Sequence, residues 1–127
     1  MVLVIAACGN TADSVTERSV AQVVATSPVT TTVVAGRLFP DPPKVRVLDQ
    51  YGAPFPGIGV TFEVTAGGGV MTATGLGFVT VTTVATNLQG ESSVLWMTGA
   101  TPGTNTLVAR VGSVTPVVFT ATTTAAP

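Results

Sequence analysis

Six carboxylates, a single thiol at Cys8 and no histidine are the titratable groups this sequence offers for proton transfer or metal ligation near neutral pH. Glycoside hydrolysis would need two carboxylates held about 5–9 Å apart with one pKa raised. The best pairs are Asp41 or Asp49 with Glu91, all beside turns. Solvated turn residues explain them more simply, with Asp49 capping its own turn. No set of Cys, His, Asp or Glu has metal-ligand spacing, so no metal site is expected. Gly67-Gly68-Gly69 has the look of a phosphate loop, but no lysine follows and no helix begins there, so charge and dipole are both missing. The reading is a non-catalytic chain with no cofactor.

The elements that would carry these residues follow from composition. The chain has 127 residues, enough for one domain with a real core, and 46% of them are hydrophobic while 9% are charged. Its net charge is -1, with five Lys and Arg scattered singly, so it lacks the clustered positive charge that binds nucleic acid through counterion release. Val and Thr number 23 each, whereas helix formers are scarce. Such β-branched side chains pack on a pleated surface, and with 14 Gly and 9 Pro between the runs they predict an all-β sandwich or barrel of about eight short strands. Residues 64–90 carry no charge, yet six glycines and seven threonines interrupt them, which suits strands and turns and not a membrane span.

Ser27-Pro28 parts two Val/Thr runs and suits an edge strand that switches sheets. Residues 36–43 hold three prolines and read as a crossing segment. Alternation puts Val45 and Val47 inward from Lys44 and Arg46, and buries Val60, Phe62 and Val64. Asp49 to Gly52 and Asn87 to Gly90 match type I turns, and Pro56-Gly57 matches a type II turn. Residues 67–77 read as a flexible connection, with a strand over 78–86. In residues 91–98, Ser92, Val94 and Trp96 share one face, while Leu95 and Met97 leave the other less polar than an exposed sheet should be. Leu107, Ala109 and Val111, then Val117, Phe119 and Ala121, mark two last strands. Trp96 reads as a plug between sheets, with Phe62 and Phe119 as its packing partners.

At the start, Ile5-Ala6-Ala7-Cys8 resembles the cleavage box of a bacterial lipoprotein signal peptide, although residues 1–4 lack a basic n-region. That resemblance implies removal of residues 1–7, a lipid on Cys8 and anchoring to a membrane of the cell envelope, the outer membrane or cell surface. The alternative is a first strand with Cys8 as a small buried hydrophobe. Residues 9–19 read as a tether.

The run from Val45 through Asp49-Gln50-Tyr51-Gly52-Ala53-Pro54-Phe55-Pro56-Gly57, with Val60-Thr61-Phe62 and Gly67-Gly68-Gly69, resembles the bacterial immunoglobulin-like domain of the invasin/intimin type (Big-1). Asn87-Leu88-Gln89-Gly90, Val94-Leu95-Trp96, residues 103–109 and Val118-Phe119-Thr120-Ala121 continue the likeness. The resemblance implies an immunoglobulin-like antiparallel sandwich over residues 20–124, followed by a tail or linker at 125–127. It carries no catalytic residues. The function expected is a structural spacer or presenting scaffold at the bacterial surface, with Leu95 and Met97 facing a neighbouring domain. The alternative is an adhesin-type receptor that holds a glycan or host protein through the loops bearing Tyr51, Phe55 and Phe78.

Overall fold

The computed structural model of the protein describes residues 18–75 and 77–125, all of them strand, turn or irregular chain with no helix. Among the described residues ten strands run in the order β1 (Val20–Ala25), β2 (Thr30–Val34), β3 (Lys44–Asp49), β4 (Gly59–Ala66), β5 (Val70–Thr72), β6 (Val81–Ala85), β7 (Glu91–Ser93), β8 (Leu95–Met97), β9 (Gly103–Arg110) and β10 (Val117–Thr124). One layer is a five-stranded sheet ordered β2-β10-β9-β4-β6. The other is built from β1-β3-β7 and the pair β5-β8, which continue one another because only Val94 separates β7 from β8. All pairings are antiparallel except β2 with β10. This is an immunoglobulin-like β-sandwich.

The switch at Ser27-Pro28 closes one side of it. β1 pairs with β3 in one layer, and after the proline β2 pairs with β10 in the other. Ser27 holds the crossing point, its Oγ accepting the Lys44 N–H at 3.0 Å. Strict alternation along β3, β4 and β9 turns Val45, Val47, Val60, Phe62, Leu107 and Ala109 inward, and each is fully buried. Trp96 is fully buried too. Its ring partner is Phe39 from the crossing segment, stacked at 5.0 Å between centroids with an interplanar angle of 24°, while Phe62 and Phe119 fill the same core. The indole N–H finds no acceptor among the described residues, at a cost of about 1–3 kcal/mol. Burying roughly 150–250 Å² of ring at about 25 cal/mol/Å² contributes about 4–6 kcal/mol, so burial wins.

Two sequence expectations are corrected. Residues 67–77 are not simply a flexible connection: they contain β5, whose Met71 pairs with Trp96 and is fully buried. The strand expected over 78–86 narrows to Val81–Ala85, because Val79 pairs instead with Met71. With β5 added and the strand over 91–98 broken at Val94, the total rises from about eight to ten.

The two ends of the sandwich differ. Val20 of β1 pairs with Asp49, so the chain enters beside the loop of residues 50–58. β10 runs the same way along the molecule as β1, starting near the leading end, and leaves at the opposite end, where Thr123 pairs with Gly103 and the Thr124 carbonyl accepts the Ala35 N–H. The first is the leading end and the second the trailing end.

Candidate functional site

At the leading end Asp49 closes its own turn, its Oδ1 accepting the N–H groups of Tyr51 and Ala53 at 2.9 Å each. Arg18 donates from Nε to Asp49 Oδ2 at 2.8 Å and from a terminal nitrogen to the Pro54 carbonyl at 2.8 Å. Its guanidinium lies 4.2 Å from the centre of the Phe55 ring. The Ser19 N–H adds a 2.8 Å bond to the Gln50 side chain. Arg18 and Ser19, in the stretch read as tether, therefore fasten the incoming chain to the domain. The Ala53 N–H above all, then the Tyr51 N–H and Arg18, hold the Asp49 carboxyl below its ordinary 3.8, against the opposing effect of burial. Sequence reasoning missed Arg18, because nothing local marks a partner 31 residues away.

The carboxylates weighed for catalysis are set apart. Asp49 sits on the inward parity of β3 with Val45 and Val47. Glu91 is on β7 opposite Arg46, on the outward parity, and accepts the Arg46 guanidinium at 2.9 Å. Asp41 is exposed in the crossing segment. Asp49 and Glu91 thus lie on opposite faces of one sheet, each engaged by its own arginine. Among the described residues no three Cys, Asp or Glu side chains gather as a metal would need.

The aromatic loop residues are also divided. Tyr51 is 66% exposed at the leading end, while Phe55 is half-buried, packed on the core below Arg18. Phe78 is exposed but lies beyond the far end of β6. Pairing runs from Gly59 with Ala85 to Glu63 with Val81, a span of about 13 Å that separates Phe78 from the other two. Tyr51 and Phe55 share a loop that Phe78 does not join.

Leu95 and Met97 do share the outer face of β8. Met97 is flanked by Val70 on β5 and by Leu38, which the sequence reading did not single out. Paired residues point to one side, so Leu38, Met97 and Val70 form a cross-strand row with Leu95 beside it. Leu38 and Leu95 are exposed, and Met97 and Val70 half-buried.

At the trailing end Gly67, Gly69 and Gly99 are packed, not loose. A Cβ on Gly99 would stand 1.9 Å from the Gly67 carbonyl oxygen, and one on Gly67 2.3 Å from Asn105 Oδ1. Asn105 is fully buried, its Oδ1 accepting the Gly99 N–H at 2.9 Å. Its amide reaches Thr123 Oγ1 at 3.4 Å, and that hydroxyl bonds to the carbonyls of Thr101 and Gly103. The outgoing strand β10 is clasped to the loops around it, as the incoming chain is by Arg18. Alternation along β9 predicts that Asn105 points inward; that its partners are loop backbone is not written in the local sequence.

Similar architecture occurs in solved structures. A structure of surface layer protein SbsC, domains 1–6, matches 87% of this chain with a TM-score of 0.62 at 18% identity, and the match covers 14% of that chain. SbsC domains 4 and 5 match over 91% of this chain with a TM-score of 0.59 at 15% identity, covering 55% of theirs. The D0-D1 domain of intimin gives a TM-score of 0.47 at 28% identity over 84% of this chain and 46% of its own. The chain thus spans between about a seventh and about half of the lengths of these solved chains. The SbsC likeness is one of fold. No family model and no curated protein matches the sequence.

Proposed function

We propose that this chain is a non-catalytic spacer or presenting module of the bacterial cell envelope. One observation supports the reading most: the chain enters the sandwich at one end and leaves at the other, and each junction is fastened by side chains, Arg18 with Asp49 and Asn105 with Thr123. A domain threaded this way carries whatever follows it a full strand length away from whatever precedes it, about 26 Å for the eight residues of β10. Its work is mechanical. The same sandwich occurs in SbsC, a surface layer protein, in keeping with an envelope role.

The lipobox-like run ending at Cys8 lies outside the described residues and supplies the anchor in this proposal. The leading end would then face the membrane, with the Leu38, Leu95 and Met97 row open to a neighbouring domain. In that orientation the Tyr51 and Phe55 loop lies on the membrane side, a poor position for gripping an external ligand, so the receptor reading is the weaker one. Mass spectrometry of protein extracted from membranes of its host tests the anchor. A lipid-modified Cys8 at the N-terminus is expected; an unmodified Cys8 with residues 1–7 still attached overturns it. For the receptor reading, Tyr51→Ala and Phe55→Ala should leave adhesion in a cell-binding assay unchanged.

A further inference from the structure

We propose that the free edge of β6 pairs antiparallel with the same edge of a second copy of this chain. Among the described residues β6 is the last strand of the five-stranded sheet and is bonded on one side only, to β4. The Thr80 carbonyl accepts the Val64 N–H, and Thr86 exchanges bonds with Ile58 and Gly57 on the β4 side. Backbone groups alternate in direction along an antiparallel strand. The even-numbered residues therefore face β4, and the N–H and C=O groups of Val81, Thr83 and Ala85 face outward. Val79, on the same parity, spends its outward pair on Met71, which ends the open stretch there.

Sheet edges are normally guarded by lysine, proline, bulges or inward charge. The opposite edge has its guard in the break at Ser27-Pro28 between β1 and β2. β6 has none: Val81-Thr82-Thr83-Val84-Ala85 contains neither charge nor proline, and it lies within the uncharged stretch of residues 64–90. Val81, Thr83 and Ala85 are all exposed.

The edge is also self-complementary. A two-fold axis at Thr83 sets Thr83 against its own copy and Val81 against Ala85 in both directions, giving about six new N–H···O=C bonds. The same register brings Phe78 of one copy alongside Leu88 of the other. These are two of the large apolar side chains left in solvent, 45% and 83% exposed, and the pairing would cover both. The hydroxyl pair Thr61 and Thr83, 3.1 Å apart, would extend into a row across the axis. Two five-stranded sheets would merge into one, within the usual limit of about ten strands. So short an edge lies at the low end of specific interface sizes, so the dimer forms and dissociates with concentration. The inference does not depend on the spacer reading.

Sedimentation velocity of the full chain carrying Cys8→Ser, over a wide concentration range, tests it. Dimer is expected to grow with concentration. The double variant Val81→Lys/Ala85→Lys sets lysine against lysine at both outer pairs and should raise the dissociation constant at least about tenfold while the melting curve stays in place. In the same Cys8→Ser background, Thr83→Cys should form a disulfide dimer on mild oxidation, because the paired Cα atoms would stand about 5.5 Å apart. Val118→Cys, exposed on β10, should not. A monomer at every concentration, a dimer indifferent to the lysines, or cross-linking of Thr83→Cys no faster than Val118→Cys would each overturn the proposal.

Discussion

Replacing Gly99 by alanine asks whether the trailing end is a clasp or a slack loop. The new Cβ would stand 1.9 Å from the Gly67 carbonyl oxygen and 3.1 Å from the carbon behind it, and both are backbone atoms that cannot rotate aside. Relief requires moving residues 67–69 off the 98–99 segment, which strains the Asn105 bond to the Gly99 N–H and crowds β5 against β8. Overpacking of this kind costs about 1–3 kcal/mol, and with backbone on both sides the upper end applies, about 3 kcal/mol. For a domain of this size that lowers Tm by roughly 10–20 °C. Gly68→Ala is the internal comparison. It has open space around it and a φ of 74°, so its cost is the left-handed backbone alone, about 1–2 kcal/mol, partly offset by a stiffer unfolded chain. Thermal unfolding followed by circular dichroism reads both. If Gly99→Ala melts no lower than Gly68→Ala, the loops are slack and the clasp is refuted.

Three further outcomes follow from the same contacts. Trp96→Ala should lose about 3–5 kcal/mol in urea unfolding, whereas Trp96→Phe should lose much less, since it keeps a ring against Phe39 and removes an N–H that has no acceptor. Equal losses would mean that the Phe39 contact contributes nothing. Asp49 has a folded-state pKa below 3.8, so its contribution is fully present above that value and disappears as pH falls through the folded-state value. Below pH 3.8 the wild-type urea midpoint should therefore fall more steeply than that of Asp49→Asn; parallel curves would contradict the assignment. Arg18→Ala should speed amide exchange at Tyr51 and Ala53, whose bonds to Asp49 that arginine braces, and leave Val47 and Phe62 protected.

What could be read from the sequence was whatever is decided within a few residues. Alternation placed Val45, Val47, Val60, Phe62, Leu107 and Ala109 inward because a strand offers only two faces. Asp49 and Asn87 announced their turns because each side chain bonds to backbone two and four residues on. The sheet switch showed in Ser27-Pro28, since proline cannot continue a ladder. What was hidden depends on partners distant in sequence. Val70-Met71-Thr72 becomes a strand because β8 lies beside it, and the glycines before it looked slack until Gly99 and Asn105 were seen packed against them. Phe39 stacks on Trp96 from a segment whose prolines suggested only a crossing. Arg18 read as tether because its target, Asp49, lies across a strand pair. Leu95 and Met97 were legible as an apolar outer face; Leu38, which extends it, was not.

The distance between the two junctions is the most direct test of a chain that passes through the sandwich from end to end. Spin labels at Ser19→Cys and Thr124→Cys, in a Cys8→Ser background, should give a pulsed electron resonance distance of about 25–35 Å, one strand length plus the label arms. A distribution centred below about 15 Å, little more than half that strand, would put both junctions at one end and contradict the account.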